Sequence, residues 1–244
     1  MSTPVRATDR DLRALAAIVS QDRADVPAEG LPPSLLAALV GQIRCDALGF
    51  GGFDPGRQMC WFGQEIPPGD DAIGYTDLDQ AYWEHYWNSQ PCSYAARTGD
   101  LRSVIKISDF YSTRQWHSTG MYTDYDRPLG EEHCLMLCLP EAPPRTGGPG
   151  RTIRLYLSRG PGPDFSERDR ALLTLLRPHL HQAYLDAERR RHPLPRLTLR
   201  QKDLLQLVAA GHTNTQIARR LGITEGTVRT HLENIYERLQ VSSR

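Results

Sequence analysis

The sequence has no run of about 18 apolar residues, so no segment reads as a membrane-spanning helix. Its opening, MSTPVRATDRD, lacks the apolar centre of a secretory signal. Cysteine is sparse: the five residues at 45, 60, 92, 134 and 138 form no dense disulfide framework. A cytoplasmic chain with reduced thiols and no membrane contact is therefore expected. Net charge is also missing, because 29 basic residues meet 29 acidic ones. Over the whole chain that balance argues against a nucleic-acid binder. Counted by segment it does not. From Arg196 to Arg244 eight Lys and Arg face four Asp and Glu, a net charge of +4, which leaves −4 for the rest.

The usual catalytic signatures are missing too. There is no Gly-rich phosphate loop and no Ser in a G-x-S-x-G setting. Cys134 and Cys138 are four apart on an expected strand and face one way, while His133 faces the other. Zinc ligands favour a turn between paired residues, so these cysteines read as buried strand positions. His179 and His181, two apart on a helix, point to different sides. No metal, no cofactor and no enzymatic activity are expected.

What is present is a globular composition, 39% hydrophobic and 24% charged, at a length that suits one large domain or two ordinary ones. Thr8 and Asp11 open a helix with Leu12, Leu15, Ala16 and Val19 as its stripe. Ser34 is expected to cap a second helix ending near Arg44. Residues 46–53 and 58–66 read as a hairpin around Asp54-Pro55-Gly56-Arg57, where Gly56 permits a positive φ. A helix is expected over 77–89, a strand over 102–107, and a helical stretch from Ser108-Asp109. Strands are expected over 131–140 and 152–158, with a loop of three Pro and three Gly over 141–150. Ser166 and Asp169 then start a helix to about Arg191, carrying Leu172, Leu173, Leu175, Leu176, Leu180 and Leu185. Pro178 should kink or split it. A polar Glu188-Arg-Arg-Arg-His stretch with Pro193 and Pro195 marks the boundary. The expected domains are 1–165, a connecting and dimerising helix with its linker at 166–195, and 196–244.

The last segment reads as three short helices. Thr198 with Gln201 and Thr213 with Gln216 are spaced as capping boxes, and Gly211 and Gly222 fall at the turns. Val228, Leu232, Ile235 and Leu239 make one buried stripe on the third helix. Two helices joined by a Gly turn, the second bearing Arg, Thr and His on its free face, form a helix-turn-helix pattern. The stretch LTLRQKDLLQLVAAGHTNTQIARRLGITEGTVRTHLENIYERLQVSSR closely resembles the LuxR-type helix-turn-helix. The likeness runs through Leu197-Thr198, Gly211, Asn214, Ile217-Ala218, Leu221, Thr227-Val228, His231, Leu239 and Arg244.

That resemblance makes 224–239 the recognition helix for double-stranded operator DNA. It implies base contacts from Arg229, Thr230 and Glu233, with Arg suited to guanine and Glu to the amino group of cytosine. Thr213, Asn214, Thr224, Thr227 and His231 are expected to meet phosphate or to serve local structure. Thr224 can equally cap its helix, and His231 can be partly buried. The family pattern continues past the position of Arg244 into a fourth helix that pairs two such domains. Here the N-terminal domain and the 166–191 helix are expected to supply a homodimer contact, unless the sequence is truncated. RNA polymerase is a further partner that the resemblance implies.

The expected class for the whole chain is α+β: an antiparallel-sheet, GAF/PAS-like sandwich followed by a small all-α domain. Pro163-Asp164-Phe165-Ser166 through Arg177-Pro178-His179-Leu180 resembles the end of sensor domains that precede LuxR-type segments. Such domains hold a small molecule against one face of the sheet. Eleven of the 19 aromatic residues lie between 75 and 125, so the expected pocket comprises Trp61, Tyr75, Tyr82, Trp83, Tyr86, Trp87, Trp116 and Tyr122. The alternative is that they are ordinary core.

Length and domain order also resemble the acyl-homoserine-lactone receptors, whose pattern has Trp, a Tyr four residues on, and an Asp before Pro. Here Trp83 precedes Trp87 at that spacing, Tyr82 precedes Tyr86, and Gln90 precedes Pro91, so the lactone-binding carboxylate is not where that pattern puts it. A phosphoacceptor receiver does not fit, since the chain opens on a helix and has only Lys106 before residue 196. The expected function is a DNA-binding transcription regulator controlled by a small molecule or partner. A ligand-independent regulator and, less favoured, an enzyme with a DNA-binding tail are the alternatives.

Overall fold

The computed structural model describes residues 8–20, 25, 27–67, 77–141, 151–191 and 197–239. The chain divides into two compact units, Met1–Arg191 and His192–Arg244.

The first unit is built on five antiparallel strands: β1 (Ala47–Asp54), β2 (Met59–Ile66), β3 (Val104–Lys106), β4 (His133–Leu139) and β5 (Thr152–Arg159). Their order across the sheet is β2-β1-β5-β4-β3, so β5 is central. Strand alternation sends side chains to two faces. Ile153, Leu155 and Leu157 of β5, Leu135, Leu137 and Leu139 of β4, and Leu48 and Phe50 of β1 form one buried cluster. The helices α1 (Asp9–Ser20), α2 (Pro33–Gln42) and α7 (Glu167–Arg191) supply its other half. The alternate residues of β4 and β5, among them Cys134, Met136, Arg154 and Tyr156, line a cavity on the opposite side of the sheet.

That second side is covered by short helical pieces. These are α3 (Asp77–His85), α4 (Gln90–Thr98), a 3-10 turn (Ile107–Asp109), α5 (Thr113–Trp116), a π-helical turn (Met121–Asp126) and α6 (Arg127–Leu129). The fold is thus an antiparallel sheet with helices on both sides, followed by a small all-α unit.

Several local expectations are corrected. Ser34 does not cap α2; Pro32 stands at the cap with Pro33 inside the first turn, and Ser34 bonds Asp25 instead. The positive φ of the hairpin falls on Gln58 (52°), not Gly56. The helix expected over 77–89 stops at His85, and α4 begins at Gln90 with Pro91 in its first turn, where a missing N–H costs nothing. In α1 the buried residues are Leu15 and Ile18, while Leu12 is 50% exposed; the Val19 side chain lies outside the described residues. The helix α7 is one 25-residue element containing Pro178 and is not split. Pro178 is exposed. The turns on either side are pinned by buried Leu172, Leu173, Leu176, Leu180 and Tyr184. Leu175, expected in that stripe, is 46% exposed.

The second unit packs α8 (Leu199–Ala209), α9 (Asn214–Leu221) and α10 (Glu225–Leu239) around Leu204, Ile217, Ala218, Val228, Leu232 and Ile235. The side chain of Leu239 and all of Arg244 lie outside the described residues. Both capping boxes form, Thr198 with Gln201 and Thr213 with Gln216. Gly222 closes α9 at φ 64°, a conformation costly for a residue with a Cβ.

Candidate functional site

Each unit carries one candidate site. In the second unit, burial of Val228, Leu232 and Ile235 fixes the rotation of α10. Arg229, Thr230 and Glu233 therefore stand exposed on its free side. Arg229 and Arg219 are exposed cations, and among the described residues of this unit no carboxylate pairs with any Lys or Arg. The other groups have local duties. The Thr224 hydroxyl accepts from Thr227 N–H at 3.2 Å and lies 2.8 Å from the Thr227 hydroxyl, so it caps α10. The Thr230 hydroxyl donates to Gly226 O at 3.2 Å. Thr213 caps α9, and Asn214 beside it has a buried side-chain oxygen without a hydrogen-bond partner. His231 is half-buried. Thr215 donates to Glu225 at 3.1 Å and ties α9 to α10. The arrangement offers a fixed helix with an unneutralised guanidinium and small polar neighbours, a surface suited to a groove edge.

In the first unit a cavity of about 140 Å³ lies between β1, β2, β4 and β5 and the helical cover. Its walls include Phe53, Tyr82, Trp83, Trp116, Met121, Tyr125, Met136 and Tyr156. Of the pocket residues expected from the sequence, Tyr82, Trp83 and Trp116 line it. Tyr86 stands behind Tyr82, ring centroids 5.9 Å apart. Tyr75 lies outside the described residues.

Trp61, Trp87 and Tyr122 do not line the cavity, and each has a physical reason. The β1–β2 register passes from Gly52↔Phe62 to Phe53↔Cys60, which makes Trp61 the extra residue of a bulge. Cys60 faces the cavity in its place, and the Trp61 ring lies 4.1 Å from the Arg151 guanidinium. Because α3 ends at His85, Trp87 leaves the helical register of Trp83 and is 42% exposed. Tyr122 sits in the π-helical turn, whose wide spacing turns Met121, Tyr125 and Asp126 inward instead. Its ring stacks on His117 at 4.3 Å and its hydroxyl donates to Glu132 at 3.0 Å.

The polar groups of the cavity escaped the sequence reading. Arg154, on central β5, is 1% exposed. It donates to the hydroxyls of Tyr82 (3.0 Å) and Tyr86 (2.5 Å) and to that of Thr152 (3.2 Å). Its guanidinium also lies 4.8 Å from the Phe53 ring centroid. A glycine makes room for the neighbouring ring: Gly49 is the cross-strand partner of Tyr156, and a Cβ there would stand 2.0 Å from that ring.

Asp126 closes the π turn and faces the cavity with Glu131. Burial, with repulsion from Glu131 and Glu132, raises the Asp126 carboxyl to about 8. Burial raises Glu131 as well, against a hydrogen bond from Ser158. Burial pushes the Cys60 and Cys92 thiols up to about 11, so neither is poised as a nucleophile. Among the described residues no cluster of His, Cys, Asp and Glu could hold a metal ion.

Comparison with known proteins divides along the same line. Residues 195–244 match the family described as bacterial regulatory proteins, luxR family. Over 75 residues the chain is 44% identical to the probable transcriptional regulatory protein SgaR of Hyphomicrobium methylovorum, covering 30% of this chain and 36% of that one. Over 48 residues it is 46% identical to the nitrate/nitrite response regulator NarL of Escherichia coli, covering 20% and 22%. The chain thus spans about a third or less of the length of these curated relatives. Among solved structures, Escherichia coli SdiA aligns over 96% of this chain and 92% of its own, with a TM-score of 0.53 and 15% identity. SdiA in complex with octanoyl-rac-glycerol aligns over 98% and 93%, with a TM-score of 0.51 and 16% identity. The second unit is a LuxR-type helix-turn-helix domain, and the chain shares the fold of SdiA.

Proposed function

We propose that this protein is a transcription regulator whose LuxR-type unit binds operator DNA and whose sheet unit takes a small molecule that controls it. The observation that carries the DNA half is α10: a helix locked by a buried stripe, presenting Arg229 unpaired on its exposed side. Thr230 and Glu233 share that side and are assigned to base edges, Glu233 discriminating by accepting from cytosine or by repelling phosphate. Thr213, Asn214, Thr227 and His231 are assigned to phosphate or to holding the helix that reaches it, and Thr224 to the cap.

The ligand half rests on the aromatic cavity with its buried polar groups, and on the shared fold with SdiA, one of whose structures is in complex with octanoyl-rac-glycerol. The assembly expected is a homodimer, since reading two successive grooves needs two recognition helices about 34–36 Å apart. A cytoplasmic location, and contact with RNA polymerase once bound to DNA, belong to the same reading. No helix among the described residues is long and apolar enough to cross a membrane.

The test is a gel-shift titration on operator fragments selected from random DNA with the full chain. Arg229→Ala is expected to weaken the selected site by roughly 5- to 150-fold, the range for one lost bidentate base contact of about 1–3 kcal/mol. Unchanged affinity for that site would overturn the assignment.

A further inference from the structure

The cavity of the sheet unit is lined by a buried positive charge with no ion-pair partner among the described residues. Arg154 is 1% exposed, and its three hydrogen bonds go to neutral hydroxyls, those of Tyr82, Tyr86 and Thr152. A guanidinium has five N–H groups and does not release its proton in a protein. Two of its N–H groups therefore have no partner among the described residues, and the side chain lines the cavity. Among the described residues no carboxylate forms an ion pair with it, although Arg151, on the same segment, pairs with Asp54 and Glu141, and Arg159 with Asp169.

Glu65, Asp79, Asp126 and Glu131 also line the cavity, and among the described residues none of them forms an ion pair with Arg154. The Asp126 carboxyl makes no hydrogen bond among the described residues, and its neighbours Glu131 and Glu132 work against its ionisation, as burial does. It faces the cavity as a protonated acid, a donor. Trp116, also on the wall, has a buried indole N–H without a partner. Beside these acids the cavity thus offers unmet donors and one guanidinium without an ion pair, against a wall that is largely aromatic and thioether surface. An isolated buried charge is among the most costly features a fold can carry, and an oppositely charged, hydrogen-bonded partner offsets that cost.

From this geometry we propose that the cavity takes a small carboxylic acid with an apolar or aromatic body, its carboxylate held by the fork of Arg154. This rests on the ligand-sensing reading above and names the class of ligand. A planar carboxylate accepts two parallel N–H bonds from a guanidinium, and such charge-assisted bonds are about twice as strong as neutral ones. The hydroxyls of Tyr82 and Tyr86 hold the guanidinium, which also lies 4.8 Å from the Phe53 ring centroid. An ester or amide of the same body offers one neutral carbonyl and leaves the charge unmatched.

The experiment compares octanoic and 3-phenylpropionic acids with their methyl esters and primary amides, using the full-length chain. Binding is read by thermal shift and by calorimetry. The acids are expected to raise the melting temperature and to bind at least about tenfold tighter than their neutral counterparts. Arg154→Met, close in volume and uncharged, is expected to remove the preference, and Arg154→Lys to weaken it. Equal or tighter binding of esters and amides overturns the carboxylate proposal while leaving the ligand-sensing reading in place. Acid binding that is unchanged in Arg154→Met overturns it as well. If no probe of either kind binds, the reading of this cavity as a ligand site falls too. Should Arg154→Met fail to fold, the ratio of acid to ester affinity in the native chain decides alone.

Discussion

Arg154 and Asp126 show how a residue's environment can reverse its apparent role. In the sequence, Thr152, Arg154, Tyr156 and Ser158 alternate with apolar residues, the pattern of a strand with one face in water. The structure buries both faces, because β5 is central and the helical cover lies over its polar side. Strand order is a long-range property, and alternation along one strand does not report it. Asp126 carries a prediction of its own. Its carboxyl ionises near 4 when unfolded but remains protonated to about pH 8 in the fold. The folded state then holds one proton more than the unfolded state between those values. Stability tied to this group is full at low pH and falls as pH climbs from about 4 to about 8. Asp126→Asn should flatten that decline, measured as the difference between the two melting-temperature profiles over this range. Parallel profiles would place the carboxyl in water.

At the scale of elements, local rules carried the helix-turn-helix furthest. Two capping boxes, two Gly turns and a 3.6-residue stripe all lie within 40-odd residues of chain and need no distant contact to be read. The cover over the sheet was less legible. The break between α3 and α4, the π turn and the β1–β2 bulge each depend on packing against the sheet, and each displaced one aromatic from the expected pocket. Two changes test how far individual elements depend on their packing. Leu176→Ala, in the fully buried stripe of α7, should cost about 2–5 kcal/mol in a denaturant titration. The neighbouring Leu175→Ala, at 46% exposure, should cost far less. Gly222→Ala places a Cβ at φ 64° between α9 and α10 and should cost about 1 kcal/mol in the melting of the second unit.

For the whole molecule the decisive quantity was charge, and it was readable only after division. The zero total conceals a basic helix-turn-helix end and a mildly acidic body. An excess of only +4 per copy predicts a shallow dependence on salt and useful affinity only from paired copies. Arg219, exposed and without an ion pair among the described residues, should contribute through phosphate: Arg219→Ala should weaken all DNA sequences alike and reduce the log–log salt slope by about 0.9. Anisotropy titrations across salt concentrations separate this from the sequence-selective loss expected for Arg229→Ala. A selective loss from Arg219→Ala would exchange the two roles. The overall class was legible because composition and hydrophobic period change abruptly at the polar, Pro-containing stretch after Glu188; the helix over 166–191, expected as a connector, instead packs into the core of the first unit.

The centrality of β5 also limits how the cavity can diversify. Its residues alternate between the leucine core and the cavity, so Arg154 is held in place by Ile153 and Leu155 on either side. An insertion or deletion of one residue there would drive the guanidinium into the leucines and turn a leucine into the cavity. The strand is therefore a poor substrate for evolutionary tinkering. The short helices of the cover share no such double duty, and relatives with altered chemical tastes should differ chiefly in Tyr82, Trp83, Trp116 and Met121, while keeping the alternation of β5.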